Sequence, residues 1–329
     1  MSTLVKTVGV LYLCSLVTVW SLIWHAGDRF WWGTLLVFGP RWAAALPLTV
    51  LIPATLVWHR RSLWLCLLAC AVCFGPIMGF NLPWHVFDQP APDAVPLRVV
   101  TWNLGNCDAD PAVIAFLLGR YNADVAALQE CQPGFAERLG EFDWRVPMLA
   151  FREQRERLVI CSRYPIDEVD TVDRRDFGGW GNSAMGCRLY TPAGTIAFVN
   201  LHLMTPRSGI EELLQRNPGA VSSVRTEIQR RAAESRAVRR WISGQYADAI
   251  VAGDFNMPVK SRIYQEDWSS LQNAFSNVGW GYGYTKLTRW HGVRIDHILA
   301  PPCYNLVACE VGRDSPSDHR PVIAQVAVP

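Results

Sequence analysis

Residues 248–256 read DAIVAGDFN and residues 124–130 read DVAALQE. In both stretches an apolar run that is typical of a buried strand stops at a carboxylate, Asp254 in the first and Glu130 in the second. A polar side chain at a strand end emerges at the rim of a sheet, where active sites are commonly built. The two stretches therefore predict a sheet-containing domain with a functional centre at one edge.

Further apolar runs on either side of these two stretches end in the same way. We predict additional strands at 98–103, 157–161, 184–190, 195–203, 293–299 and 320–327, and helices at 111–121 and 221–243. The polar side chains at or near the strand ends are Asn103, Asn256, Asp296, Asp318 and His319. Many strands with few helices are typical of two sheets packed face to face with helices outside.

The N-terminal third has a different composition. Uncharged apolar runs occupy 8–24, 42–58 and 63–80, each close to the roughly 17–25 residues that a membrane-crossing helix needs. A cleaved signal peptide accounts for the first run but not for the other two. We therefore expect about three transmembrane helices in residues 1–80, a proline-rich linker at 81–97 and a soluble domain at 98–329.

The short loop between the second and third runs carries Arg60 and Arg61. Basic loops tend to stay in the cytoplasm, so the soluble domain is expected outside it, in the periplasm or at the cell surface. Arg29 and Arg41 then fall on the outer side, which this rule disfavours.

The residue types at the strand ends suit a hard divalent cation. Glu130, Asp254, Asn103 and Asn256 supply carboxylate and amide oxygens, which Mg²⁺ prefers, with Mn²⁺ as a second possibility. No His and Cys cluster has zinc spacing, and no glycine-rich phosphate loop follows a strand. Acids and bases nearly balance after residue 88, which argues against a module that binds nucleic acid by bulk positive charge. Singly, each side chain is more often a solvated, capping or turn residue than a ligand.

The order of the motifs is more specific than any one of them. The soluble domain resembles the endonuclease/exonuclease/phosphatase superfamily from about Leu97 to Val328. The motifs that carry the resemblance are TWN (101–103), LQE (128–130), SRYPI (162–166), NLHL (200–203), GDFN (253–256), RIDHI (294–298) and SDHRPV (317–322). The resemblance implies an α/β fold, an α+β four-layer sandwich in which helices flank two packed, mostly antiparallel sheets.

The resemblance also implies a role for each matching position. Glu130 is expected to be the principal metal ligand with Asn103 beside it, and Asp318 is expected to contact the metal directly or through water. Asp254 is expected to orient or deprotonate the attacking water, and Asn256 to hold the scissile phosphate. His319 is the expected general base or phosphate-stabilising imidazole, oriented by Asp296. His202 is expected to touch the phosphate on the leaving-group side, and Arg207 is a further candidate for binding substrate.

These roles imply a membrane-anchored, metal-dependent phosphoester hydrolase, most of all a phosphodiesterase. A phospholipid-like substrate is favoured by the membrane helices. A nucleic acid is favoured by the superfamily as a whole, and a small phosphate ester is a further possibility. A catalytically inactive binding domain of the same fold is the alternative. Nothing in the sequence points to an obligate protein partner.

Three further features have open or structural interpretations. His297 follows Asp296 along a strand and points to the opposite face, which predicts a structural role. The arginine-rich helix is either a nucleic-acid or lipid surface or, more often in such helices, a solvated face whose Glu227 and Glu234 pair with arginines one turn away. The aromatic stretch GWGYGY (279–284) forms either a substrate-facing rim or a plain loop. The disulfide state of the domain's cysteines stays open: Cys107, Cys131, Cys161, Cys187, Cys303 and Cys309.

Overall fold

The computed structural model describes residues 1–85, 94–105, 110–288, 290–313 and 315–329. Within these residues the α-helices are α1 Ser2–His25, α2 Trp31–Phe38, α3 Leu48–Trp58, α4 Leu63–Val72, α5 Pro111–Arg120, α6 Phe135–Gly140, α7 Arg207–Leu214, α8 Ala220–Gln245, α9 Arg262–Asp267 and α10 Ala274–Val278. The strands are β1 Val95–Asn103, β2 Val125–Gln129, β3 Phe151–Arg155, β4 Leu158–Ser162, β5 Ile166–Asp173, β6 Asn182–Thr191, β7 Gly194–His202, β8 Ile250–Asp254, β9 Gln272–Asn273, β10 Lys286–Leu287, β11 Gly292–Val293, β12 Asp296–Ala300, β13 Asn305–Val311 and β14 Val322–Val328.

The strands form two six-stranded sheets, in the orders β13-β14-β1-β2-β4-β3 and β5-β6-β7-β8-β12-β9. The pairs β1–β2 and β7–β8 are parallel, and the other pairs are antiparallel. β10 and β11 form a separate small hairpin. Helices flank the two sheets, so the predicted sandwich of mostly antiparallel sheets is confirmed.

The core between the sheets explains why the central strands have continuous apolar sequences. Val99, Ile160, Phe198 and Ile250 belong to the cluster in which the two sheets meet. The next residue along β1, Val100, belongs instead to the cluster beneath α5 and α6. Both faces of the central strands are covered, so both sets of alternating side chains are apolar.

The N-terminal region contains three helices that are long and apolar enough to cross a membrane: Ser2–His25, Arg41–Trp58 and Arg60–Ile77. The third of these includes α4 and ends in a π-helical turn at Cys73–Ile77. Large apolar side chains are exposed on their outer faces, including Leu11, Val50 and Leu67. That exposure suits a lipid environment, in which apolar side chains need no protein cover.

The segment between the first and second apolar helices packs against the soluble domain. We call this segment, residues 26–40, the first loop, although it includes the short helix α2. Asp28 in this loop is fully buried. Its carboxylate accepts hydrogen bonds from the Ser261 hydroxyl and the Arg262 amide, each at 2.7 Å. It also lies 3.5 Å from the guanidinium of Arg231, itself buried on α8. The first loop is therefore joined to the domain by a buried ion pair.

Additional contacts join the same two parts of the chain. His291 Nε2 lies 2.7 Å from the carbonyl oxygen of Phe38, and the Trp42 indole donates to the carbonyl of Trp290 at 2.9 Å. Asn81, just after the third apolar helix, forms a β-bridge with Gly281. The first and third apolar helices are thus both followed by segments that lie on the domain.

The Asp28–Arg231 pair yields a stability prediction. Replacing Asp28→Ala leaves a guanidinium buried without its counter-ion, which typically costs about 3–5 kcal/mol. We expect the melting temperature of the full-length protein in detergent to fall by roughly 6–20 °C. Arg29→Ala is the matched control, because its ion pair with Glu266 is about half exposed on both sides and such pairs contribute less than about 1 kcal/mol. Equal melting temperatures for the two variants would contradict the prediction.

Candidate active site

The strand registers bring the predicted residues to one edge of the sandwich. His202 at the end of β7 pairs with Asp254 at the end of β8, and Asp254 pairs on its other side with Asp296 at the start of β12. In the facing sheet, Asn103 at the end of β1 pairs with Gln129, so Glu130 follows immediately beside it. Five strand termini, three from the second sheet and two from the first, thus meet at this edge.

Asn103 links the two sheets at this edge. Its side-chain nitrogen donates to Glu130 Oε1 at 3.0 Å and to Asp254 Oδ2 at 2.9 Å. Its side-chain oxygen accepts from the Gly105 amide at 2.8 Å. Asn103 therefore holds the two carboxylates at a fixed separation, while its side-chain oxygen is hydrogen-bonded to the backbone of the following turn.

Glu130 and Asn256 both have left-handed backbone conformations, with φ of 56° and 51°. Non-glycine residues adopt this conformation where surrounding contacts enforce it, often at functional sites. The contacts at Asn256 are a bond from its amide to Asp254 Oδ1 at 2.8 Å and one from its side chain to the Leu203 carbonyl, also at 2.8 Å. Asn256 is thus fixed against Asp254, 3.3 Å from its Oδ2.

Asp254, Asp296 and His319 form a buried triad of charges. His319 Nδ1 lies 2.9 Å from Asp296 Oδ2, and His319 Nε2 lies 3.9 Å from Asp254 Oδ2. Burial, and then the charge of Asp296, raise the pKa of Asp254 to about 7. Burial opposes protonation of His319, but the carboxylates of Asp296 and Asp254 outweigh it and raise the pKa of the imidazole to about 9. The imidazole is therefore the cation that compensates the two acids.

The surroundings of His202 lower its pKa, whereas those of His319 raise the pKa of that imidazole. Its Nε2 lies 3.6 Å from Glu130 Oε1 and 3.8 Å from Asp254 Oδ2. Burial, and then the positive charge of Arg174, hold the pKa of His202 well below its ordinary value. Arg174 also donates to the His202 carbonyl and pairs with the buried Glu234 of α8 at 2.9 Å. The site thus contains one neutral and one protonated histidine near neutral pH.

Asp318 and Arg207 lie at the rim rather than in the buried centre. Asp318 is exposed and accepts a hydrogen bond from Lys286 at 2.7 Å. Burial acts against ionisation of Asp318, but Lys286 outweighs it and lowers the pKa of the carboxyl. Arg207 begins α7, pairs with Glu211 at 2.8 Å, and its side chain is 73% exposed.

Lys286 is a candidate functional residue that the motif reasoning missed. Its Nζ lies 2.8 Å from His319 Nε2 as well as 2.7 Å from Asp318. At that distance a single proton lies between the two nitrogens, so Lys286 opposes the carboxylates and lowers the pKa of His319. It belongs to the short β10, outside every motif, and its neighbours in sequence give no periodic signal. The one available sign was rarity, since the chain has only three lysines, Lys6, Lys260 and Lys286.

The remaining open interpretations now have structural answers. His297 is buried between Asn273 and the Met257 carbonyl, and burial lowers its pKa to about 3, so its predicted structural role is confirmed. The predicted pairing of Glu234 along its own helix is wrong, because this acid turns inward to Arg174. Cys161, Cys187, Cys303 and Cys309 form no disulfide among the described residues, and Cys107 lies outside them.

Aromatic residues of the GWGYGY stretch contact the end of the third apolar helix. The Phe80 ring lies 5.6 Å from that of Trp280 and 5.2 Å from that of Tyr282, edge to face in both cases. Tyr282 stacks in turn on Tyr284 at 5.3 Å. The stretch therefore lies against the membrane-helix region.

The donor atoms of the site fit a hard divalent cation. Glu130 and Asp254 present carboxylate oxygens on either side of Asn103, and ligand atoms of Asp254, Asp296 and His319 lie within 4.8 Å of one another. Oxygen donors of this kind suit Mg²⁺ or Mn²⁺. The charge of Asp296 contributes to the raised pKa of Asp254. A bound cation would offset this repulsion between carboxylates, so the raised pKa is a further sign of a cation site.

The charge balance of the triad yields a titration prediction. In the Asp296→Asn variant, burial dominates at His319 and its pKa should fall from about 9 to near or below its ordinary value of 6.5. Chemical-shift titration of histidine Cε1 nuclei in the full-length protein measures this change. His297 is the internal control, since it should stay neutral down to pH 4 in both forms. A His319 pKa that is unchanged by Asp296→Asn would refute the pairing.

The chain is similar to a known protein family in sequence and to several solved structures in fold. Residues 100–319 match the model of the Endonuclease/Exonuclease/phosphatase family. TDP2 of D. rerio, complexed with single-strand DNA product, aligns with 18% identity over 70% of this chain and 98% of that chain, with a TM-score of 0.54. The endonuclease/exonuclease/phosphatase of Bacteroides vulgatus aligns with 16% identity over 71% and 100%, with a TM-score of 0.54. The 3′ phosphatase NExo of Neisseria, bound to a product DNA hairpin, aligns with 17% identity over 69% and 98%, with a TM-score of 0.53.

A search of curated protein sequences gave no match. The solved structures share the fold of the domain from β1 to β14, and the family match spans about two thirds of the chain. The buried carboxylates and histidines at the strand ends lie within the matched residues. The chain therefore belongs to the endonuclease/exonuclease/phosphatase family.

Proposed function

We propose that this protein is a membrane-anchored, Mg²⁺-dependent phosphodiesterase that acts outside the cytoplasm. The observation that supports it most directly is the network of Asn103, Glu130, Asp254, Asp296 and His319, in which three acids and a protonated imidazole share one largely buried site. Buried charges in such numbers are costly unless they serve a reaction or a ligand.

Each group in the network has a chemical task in phosphoester hydrolysis. Glu130 and Asp254 would hold the Mg²⁺ ion, with Asn103 fixing both carboxylates. Bound there, the ion would supply positive charge to offset the phosphate and the developing charge on the leaving oxygen. Asp254 would also orient the attacking water and accept its proton.

The two histidines would act on the phosphate. His319, held protonated by Asp296, would donate a hydrogen bond or proton at the phosphoryl oxygens. His202 is neutral and would add a second donor beside Glu130. Asn256 would supply an amide donor from the opposite side of Asp254, and Lys286 would stabilise negative charge at the rim.

The position of the β10–β11 hairpin favours a phospholipid-like substrate. Lys286 in β10 contacts His319, whereas Trp290 and His291, four and five residues later, contact the membrane-helix region at Trp42 and Phe38. Trp84, Trp280 and Trp290 are largely exposed around this junction, at 75%, 68% and 69%. Exposed tryptophans are typical of a membrane–water boundary, so the rim of the site would lie near the lipid surface.

Nucleic acid is the second candidate substrate. TDP2 of D. rerio and NExo of Neisseria, which share the fold, were solved with DNA products. Exposed arginines of α8, including Arg225, Arg230 and Arg240, could contact phosphates. However, Arg231 of the same helix is buried against Asp28, and Arg239 is committed to the Asp267 carbonyl and Ser270. The helix is therefore a partly internal support rather than a free basic face.

Substitutions at the centre test the enzyme proposal. Glu130→Gln and His319→Gln in the full-length protein should each lower phosphodiester turnover by about 10²–10⁴-fold, because each removes a charge that acts in the transition state. Turnover of bis-p-nitrophenyl phosphate with Mg²⁺ or with EDTA measures this. Glu266→Gln is the control, since Glu266 is half exposed and its ion pairs among the described residues are with Arg29 and Arg262.

The same assay separates the substrate classes. Phospholipid in nanodiscs, plasmid DNA and soluble phosphate esters are compared, and we expect the lipid to have the highest kcat/KM. A nuclease would instead prefer DNA and lose activity steeply with added salt. Absence of turnover on every substrate, or full activity of Glu130→Gln, would support an inactive binding domain.

The topology proposal rests on the first loop. This loop lies on the soluble domain through Asp28 and Phe38, so loop and domain share one side of the membrane. The loop that contains Arg60 and Arg61 joins α3 to α4 at the other end of these helices, and the positive-inside rule makes that end cytoplasmic.

A reporter fusion tests this topology. Alkaline phosphatase fused after Pro329 should be active, because that enzyme folds only outside the cytoplasm, and a green fluorescent protein fused there should be dark. Fusions after Ser62 serve as the control and should give the reverse pattern. Fluorescence from the Pro329 fusion would place the catalytic domain in the cytoplasm.

A further inference from the structure

Three basic side chains converge between the membrane-helix region and the catalytic domain, away from the catalytic centre. Arg41 stands at the start of the second apolar helix, Lys260 precedes α9, and Arg294 precedes β12. Together they line a narrow cleft that opens to solvent and whose interior volume, about 20 Å³, has room for about one water molecule. Met78, Gly79, Tyr282 and Tyr284 also line it, and no acid is among the described lining residues.

The charges in this cleft are not compensated within the described part of the chain. Burial, and then the positive charges of Arg41 and Arg294, lower the pKa of Lys260 to about 7. The Lys260 ammonium has only a long contact, 3.4 Å, to the Ile77 carbonyl. Like charges held together in a half-buried cleft are unfavourable unless an anion joins them.

Arg294 also has unused hydrogen-bonding capacity. One nitrogen, Nη2, donates to the Ser276 hydroxyl at 3.2 Å, and the guanidinium stacks over the Phe275 ring at 4.6 Å. The other terminal nitrogen, Nη1, is buried and has no hydrogen-bond partner among the described residues. A buried guanidinium nitrogen usually has an acceptor, so one donor of Arg294 is left without a partner among the described residues.

The cleft lies where the apolar helices end. Arg41 begins the helix Arg41–Trp58, and Ile77, next to Met78, ends the helix Arg60–Ile77. Both ends are on the side of the catalytic domain, as the contacts of Trp42 and Asn81 with it show. In a bilayer, this level is occupied by lipid headgroups.

We propose that Arg41, Lys260 and Arg294 form a binding site for a phosphate-bearing anion, and that its occupant is the headgroup phosphate of an anionic phospholipid. The three cations would share the oxygens of a phosphate at the mouth of the cleft. Tyr282 and Tyr284 line the same cleft, and their hydroxyl groups would be additional donors. This site is separate from the catalytic centre and acts in anchoring, since lipid bound there would join the second and third apolar helices to the domain.

Thermal melting of the full-length protein tests the proposal without any turnover. The protein is purified in a neutral detergent with EDTA and mixed with phosphatidylglycerol, with phosphatidylcholine or with inorganic phosphate. We expect phosphatidylglycerol to raise the melting temperature by roughly 3 °C or more and phosphatidylcholine to have no such effect.

Two variants separate ligand binding from a merely structural role. Lys260→Met and Arg41→Met each keep an apolar stem and remove one repelling charge. Without lipid, both should melt at the wild-type temperature or above it, whereas loss of a structural contact would lower it. With phosphatidylglycerol, both should lose most of the increment. Arg29→Met is the matched control, because Arg29 also follows an apolar helix on this side but pairs with Glu266, and it should keep the full increment.

The outcomes are distinct. An equal increment from both lipids, or an undiminished increment in Lys260→Met and Arg41→Met, would overturn the proposal. Stabilisation by inorganic phosphate that disappears in these variants, without any effect of phosphatidylglycerol, would overturn the lipid assignment and identify a soluble phosphate group as the ligand.

Discussion

The carboxylates of Asp254 and Asp296 lie side by side on adjacent strands, almost completely removed from water. Two such anions repel each other strongly in a poorly solvated interior. The side chains around them reduce that repulsion: Asn103 and Asn256 donate to Asp254, and the imidazolium of His319 lies between the two acids. The Trp102 indole and the Ser315 hydroxyl in turn hold the His319 carbonyl. The side chains at the strand termini therefore stabilise the two buried carboxylates of Asp254 and Asp296.

This constraint explains why the centre could be predicted from sequence. A buried carboxylate must stand where a strand leaves the core, so Asp254 and Glu130 appear as acids that end apolar runs. The strands that carry them lie in the middle of the sheets and are apolar on both faces. By contrast β3 and β5 escaped prediction, because both are edge strands with exposed, charged side chains. Their sequences FREQR and IDEVDTVD lack the continuous apolar run.

Tertiary contacts account for the remaining residues that the sequence did not reveal. Lys286 reaches His319 from a two-residue strand, and only the packing of the β10–β11 hairpin against the 317–319 turn makes that contact. Glu234 and Arg231 look like members of a solvated, alternating-charge helix. In fact one faces Arg174 and the other faces Asp28, across gaps of 60 and 203 residues in the chain. Arg29 and Arg41, which the positive-inside rule disfavours on the outer side, are likewise engaged by or next to the catalytic domain.

The ion pair of Asp28 and Arg231 also links the catalytic domain to the membrane-helix region. By sequence, the membrane helices end near residue 80 and a proline-rich connection follows, so the enzyme looks detachable. Yet Arg231 also donates to the carbonyls of Met204 and Asn256, which adjoin the catalytic strand ends. A polypeptide cut after the third helix would lose the counter-ion of the residue that supports those strand ends. The support of those strand ends therefore includes a residue of the first loop, which lies outside the part of the chain that the family model matches.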